Sequence, residues 1–354
     1  MQGIRIIVGR PTINIAGQDS LELTEGLLSL LIVEHTSGLY RCEATFGNWG
    51  EINNDINYLY FNRDLLDFGT TMQVKYGGNA LFDGRIMGLE AHFPARAEPT
   101  FTVLAEDRFQ DLRMTRRTRT FLDTSDDDVL NQIISDHGLT PAISITGTQH
   151  KILAQLNQSD LAFMRERARA LDAELWIEND TMHVESHANR GSLVAALTYL
   201  LDLRSFSVLA DLAEQRTSVT ASGWSPADKD VVSYEATSSA IASEIRNGVS
   251  GVSIVDSVLG LRKESLIHAT PGSVEEAQHI AEAYFKMSAR RFVVGHGVAE
   301  TNSQLRVGNA VDLIGLGALF SGRYYLSEVT YLFDSVNGMR TEFTAERPYI
   351  GSGG

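Results

Sequence analysis

The stretch GGNALFDGRIMGLEA, residues 77–91, is answered near the far end of the chain by LGALFSGRYYLSEVT, residues 316–330. Both contain ALF-x-GR. Ala80, Leu81, Phe82, Gly84 and Arg85 carry the first copy, and Ala318, Leu319, Phe320, Gly322 and Arg323 the second, 318 − 80 = 238 residues further on. The flanks agree as well: Gly69 with Met72 and Val74 precedes the first copy, Gly308 with Val311 and Leu313 precedes the second, and Glu90 and Glu328 follow at one offset. The copies close on FTVLAEDR (residues 101–108) and TEFTAER (residues 341–347). One folding unit used twice is the expectation, because solenoid repeats recur every ~20–50 residues.

A chain of 354 residues exceeds what one core usually serves, so ~2–3 domains are expected. With 43% hydrophobic residues it can bury proper cores. A formal net charge of −15 argues against a general phosphate-backbone binder and against stable nucleic-acid binding. The single cysteine, Cys42, excludes an internal disulfide and any cysteine-based zinc site, and fits assembly in a reducing cytoplasm. The opening MQGIRIIVGR reads as a strand and not as a signal peptide. The apolar clusters LLSLLIV (27–33) and LVAALTYLL (193–201) fall short of the ~18–20 residues of a membrane helix.

Residues 1–105 read as short alternating strands with Gly and Asn turns, the pattern of a barrel or sandwich. The character changes over 106–192, a mixed α/β insertion. Ser125 caps a helix with Asp128 at the capping-box position, Val129, Leu130, Ile133 and Ile134 form its inner stripe, and Gly138 stops it. Ser159 caps a second helix with Leu161, Met164, Ala168 and Leu171 at helical spacing, and Asn179-Asp180 turns a hairpin. Strands return over 193–349, interrupted by a polar stretch (233–246) and a helix from Ser273, with Glu276 as capping partner and Ala277, Ile280, Tyr284 and Met287 as its stripe; this helical excursion spans about 237–292. Residues 350–354 read as a flexible tail.

The sharpest chemical candidate is HVESH, where His183, Glu185 and His187 at i, i+2 and i+4 would share a strand face and hold a metal; a solvated polar edge is the reading favoured. Arg113, Arg116, Arg117 and Arg119 form the densest basic run, read as partners for carboxylates at an interface in preference to a phosphate patch. DTSDDD (123–128) lacks the spaced ligands, central Gly and closing Glu of a calcium loop, so capping explains it. No P-loop, dinucleotide fingerprint or nucleophile elbow occurs, and no catalytic residue or cofactor is assigned.

Three segments carry a resemblance: residues 104–139 (LAEDRFQDLRMTRRTRTFLDTSDDDVLNQIISDHGL), 155–177 (QLNQSDLAFMRERARALDAELWI) and 211–224 (DLAEQRTSVTASGW). In order and spacing they resemble the phage late control protein D family, the hub of contractile phage tails, related to the hub portion of VgrG spikes. The resemblance covers about residues 1–349. It implies a mainly β, α+β fold of two tube-type antiparallel barrels with an inserted α/β domain, and a homotrimer whose six barrels adapt a sixfold tail tube to a threefold spike. It further implies a tail tube or tube-initiator protein, a separate central spike protein, baseplate wedge proteins, and a tape measure or cargo in the lumen as partners, assembly in the bacterial cytoplasm, and a structural role. Tyr331 stands where many relatives carry His, and is expected to serve packing. The competing expectations are a tail-associated hydrolase and a nucleic-acid- or carbohydrate-binding module.

Overall fold

Alternation of buried and exposed side chains, the signature of a strand with one face on a core, runs through Arg41–Gly47 and Thr100–Glu106, where Cys42, Ala44 and Phe46 face inward with Phe101, Val103 and Ala105. The computed structural model describes residues 9–52, 54–226 and 228–352. The strand expected at the N-terminus lies largely outside them, on residues 1–8.

Twelve strands carry the duplication. The first set is β1 (Thr12–Ile15), β2 (Leu27–His35), β3 (Arg41–Gly47), β4 (Thr71–Tyr76), β5 (Asn79–His92) and β6 (Thr100–Glu106). The second is β7 (Leu193–Thr198), β8 (Leu203–Ala210), β9 (Val293–Glu300), β10 (Ala310–Ile314), β11 (Gly322–Asp334) and β12 (Gly338–Arg347). Hydrogen-bonded order is β1-β4-β5-β6-β3-β2 in the first set and β7-β10-β11-β12-β9-β8 in the second, so each strand of one has its counterpart in the other. The two sets are joined into one sheet by the antiparallel pairing of β2 with β11, from Glu328 opposite His35 to Asp334 opposite Ser29, so the fold is mainly β, α+β, two tube-type strand sets with an inserted α/β segment. One pairing differs: β1 runs antiparallel to β4, whereas β7 runs parallel to β10.

Hydrogen bonds fix the equivalence more sharply than letters. The Gly69 N–H donates to the Ile86 carbonyl at 2.8 Å and the Ile86 N–H to the Thr70 carbonyl at 3.0 Å; Gly308, Leu326 and Asn309 repeat this at 3.0 and 2.9 Å. Both glycines sit at positive φ, +79° and +88°, which a side chain resists. Ile86 thus corresponds to Leu326, 326 − 86 = 240 residues on, and the ALF-x-GR letters, 238 apart, fall two residues out of this register. Ala80, Leu81 and Phe82 lie on β5, while Ala318, Leu319 and Phe320 form a helical turn, Gly317–Phe320, in the longer connection between β10 and β11. Gly84, paired with Met72, corresponds to Tyr324, paired with Val311. A Cβ at Gly84 would stand 2.6 Å from the Phe82 ring, so in the first copy a neighbour's ring crowds the position that Tyr324 occupies with its own. Glu90 is exposed and Glu328 faces His35 at 3.7 Å.

The chain forms two compact units: residues 1–110, 298–307 and 328–343, and residues 111–297, 308–327 and 344–354. This division differs from one drawn at 105 and 192, since β11 and β12 each have residues in both units. In the first unit Glu34, fully buried, pairs with Arg306 and accepts the Val307 N–H at 3.2 Å, and the Tyr331 hydroxyl donates to the Leu305 carbonyl at 2.7 Å. Tyr331, wholly buried, does serve packing.

In the second unit, α1 (Asp126–Asp136) has Ser125 as its cap, with Val129, Leu130, Ile133 and Ile134 buried and Gly138 at φ +65° just beyond its end. The helix α2 (Asp160–Ala170) is capped by Ser159. Asn179, at φ +54°, turns the hairpin between Ala173–Glu178 and Thr181–Ser186. Ser273 caps α3 (Val274–Arg290), whose buried face is Ala277, Ala281, Phe285 and Ala289 on Val219, Ala221 and Ala236, with Ile280 and Tyr284 flanking. Met287 is instead exposed: small alanines let the helix approach the sheet, rotating the face away from the larger residues. The polar stretch after Ser233 continues a strand, Asp230–Thr237, and a 3₁₀ turn, Ser238–Glu244, and Gly251–Leu259 adds a helix that the sequence pattern did not announce.

Candidate functional site

Buried charge concentrates in the second unit. Glu174, on Ala173–Glu178, accepts from His187 Nδ1 at 3.0 Å, from the Tyr325 hydroxyl at 2.6 Å and from Arg190 Nη1. Burial alone would raise this carboxyl. The His187 hydrogen bond and the Arg190 charge outweigh it and hold the group at about 2. Beside it Arg290, at the end of α3, reaches Asp172 with Nη1 and Nη2 (2.5 and 2.7 Å) and Glu244 with Nε and Nη2 (2.9 and 2.6 Å). Desolvation opposes the guanidinium charge, but the two carboxylates prevail and raise its pKa.

A cavity of about 240 Å³ opens against these groups, lined among others by His187, Glu244, Arg290, Tyr325, Glu346 and Arg347. Burial raises the Glu346 carboxyl, with nearby positive charge from His187 and Arg290 acting the other way. A raised carboxyl in a cleft is what a hydrolase would require, yet the second carboxylate it needs is committed: Glu244 to Arg290, Glu174 to His187, Arg190 and Tyr325.

The residues singled out in the sequence fall elsewhere or into structural roles. His183 stacks on Trp176 with centroids 4.7 Å apart, whereas His187 lies past the strand's end at Ser186, on the short helix His187–Arg190, bonded to Glu174. Among the described residues no group of three His, Cys, Asp or Glu side chains is placed to hold a metal. Arg117 and Arg119 both converge on Asp160, at 3.0 and 2.7 Å, and Arg116 donates to the Asn157 carbonyl, so these three are engaged within the unit; Arg113 is exposed. Of the acidic run, Asp126 is fully buried and accepts from Arg167 at 2.6 Å and His150 at 3.1 Å. Sequence reasoning missed the Glu174, Arg290 and Glu346 groups, whose members come from segments more than 100 residues apart; no local spacing signals them.

The network gives the second unit a defined acid response. Glu174 and Glu244 are both held below their ordinary value of 4.5, so their contribution is present in full above about pH 4.5 and is lost as pH falls through the folded values. Urea midpoints are therefore expected to drop between about pH 6 and about pH 3.5, and Glu174→Gln to flatten the drop; an unchanged midpoint would contradict this.

The profile of the family described as Alg8 N-terminal domain matches residues 60–334, more than half of the chain. Among proteins with curated descriptions none matches. The fold is shared with the 43 kDa tail protein of prophage MuSo2 from Shewanella oneidensis, at TM-score 0.72 and 9% identity over 96% of this chain and 98% of that one. A tail protein from Neisseria meningitidis MC58 follows at TM-score 0.68 and 11% identity, over 96% of each chain. A component of the Escherichia coli type VI secretion system, described as structurally similar to the T4 tail proteins gp27 and gp5, matches at TM-score 0.56 and 14% identity over 95% of this chain and 76% of that one. At such identities the likeness shows the fold.

Proposed function

This chain belongs to the Alg8 N-terminal domain family, and from that premise, joined to a fold shared with phage tail proteins, we propose that it is the structural hub of a contractile tail or injection system, of the late control protein D kind. One observation carries the reading: two sets of six strands with the same hydrogen-bonded order and the same glycine-anchored hydrogen bonds. A chain that presents one unit twice gives six equivalent elements from three copies, which matches a sixfold tail tube on one side and a threefold spike on the other. Heterologous contacts closing into a ring have this geometry. The net charge of −15 supports a lumen to which nucleic acid does not stick. A structural role is favoured over hydrolysis because Glu174 and Glu244, the carboxylates that could act with Glu346, are committed to arginine, histidine and tyrosine.

Light scattering on the purified chain, alone and mixed with the spike and tube-initiating proteins encoded beside it, tests the reading. A mass of about 117 kDa, three times 38.9 kDa, alone or on adding the spike, is the expected result. A monomer that ignores both partners overturns it.

A further inference from the structure

Arg347 is 2% exposed, yet no carboxylate among the described residues pairs with it. Its Nη1 and Nη2 donate to the Ser321 and Leu319 carbonyls at 3.0 and 2.6 Å, its plane lies 4.4 Å from the Tyr324 ring and 5.0 Å from that of Tyr349, and its Nε–H has no hydrogen-bond partner. The other buried arginines of this unit contrast with it: Arg290 has two carboxylates and Arg190 one. A buried guanidinium without a counter-ion is costly, and such cations are ordinarily paired. Arg347 lines the cavity together with Arg323, held only loosely by Asp312 at 3.4 Å, and Arg246, exposed and without an ion pair among the described residues.

We propose that this cavity binds a small anionic group, a carboxylate or a phosphate, seated on Arg347 with Arg323 and Arg246 completing its coordination. A volume of about 240 Å³ has ample room for a carboxylate side chain or a free oxyanion. Guanidinium groups suit either ligand because their planar fork matches both oxyanions. Glu346 and Glu244 line the same cavity, which disfavours a highly charged ligand.

Calorimetric titration of the full chain with inorganic phosphate and, separately, with acetate, at ionic strength matched by chloride, tests the site and separates its two ligand classes. Saturable heat with either anion is expected, the tighter one naming the class. Arg246→Ala, a change at an exposed residue, is expected to weaken that binding at least threefold, and Arg323→Gln likewise. Arg347→Met is expected to abolish it. No saturable heat with either anion, or binding that Arg246→Ala and Arg323→Gln both leave unchanged, overturns the proposal. Arg246→Ala keeps the test decisive should Arg347→Met fail to fold.

Discussion

Arg290→Met is expected to cost about 3–5 kcal/mol, the range for removing one partner of a buried ion pair and leaving the other uncompensated. The side chain is 5% exposed and donates to Asp172 and Glu244 through four contacts of 2.5 to 2.9 Å. Without it two carboxylates, 14% and 18% exposed, face each other with Lys286, 3.8 Å from Asp172, as the nearest replacement. Urea unfolding should show the loss as a lowered midpoint at unchanged slope. The neighbouring Arg291→Met supplies the control: its guanidinium is 59% exposed and only 4.0 Å from Glu214, so a change within about 0.5 kcal/mol is expected. Equal effects of the two substitutions would sink the argument that Arg290 is the cation around which this part of the unit is neutralised.

The second large effect compares two glycines with the same hydrogen-bonding role. Gly69→Ala meets open space, so its cost is the positive φ alone, about 1–2 kcal/mol. Gly308→Ala bears that cost and also places Cβ 2.0 Å from Arg190 Nε. Arg190 is 9% exposed and holds Glu174, so displacing it breaks a buried pair, and a total of about 4 kcal/mol or more is expected. The difference should vanish when Arg190 is shortened: in an Arg190→Ala background, Gly308→Ala is expected to cost no more than Gly69→Ala does in the native chain. Non-additivity in this cycle reads the contact directly.

Much of the architecture was legible because its signals are local. Ser125, Ser159 and Ser273 cap helices with hydroxyls that accept the N–H of Asp128, Ala162 and Glu276, and each choice can be read within four residues. The stripe of α1 was legible for the same reason. That of α3 was legible only in part, since Ala277 does face the sheet but with Ala281, Phe285 and Ala289 and not with Met287, and what selects a helix face is the distance of approach, which sequence does not carry. The duplication was visible in letters that turn out to be structurally offset: the ALF of one copy is strand and that of the other a helical turn, while Gly69 and Gly308 hold matching places. The charged groups were least legible. Glu174 draws on residues 187, 190 and 325, and Arg290 on 172 and 244, so only the folded chain brings them together. HVESH failed as a metal pattern because the strand ends at Ser186, one residue before the third ligand.

The two-residue slip between the letters and the ladder also limits how such a chain can evolve. Successive side chains on a strand point to opposite faces, so a slip of two leaves every residue on its side of the sheet, while a slip of one exchanges core for solvent along the whole strand. Within β5 and β11, then, inherited insertions and deletions should be tolerated in even steps, or singly where a bulge absorbs them as the register shift between Ile86 and Gly88 does. The connections between the strands obey no such parity: residues 77–78 suffice in one copy and residues 315–321 in the other. Divergence after duplication would accumulate as changes of length at the hairpin tips and as paired steps within the strands, and an alignment of the two halves that scores letters alone will place the second copy two residues away from its true counterpart.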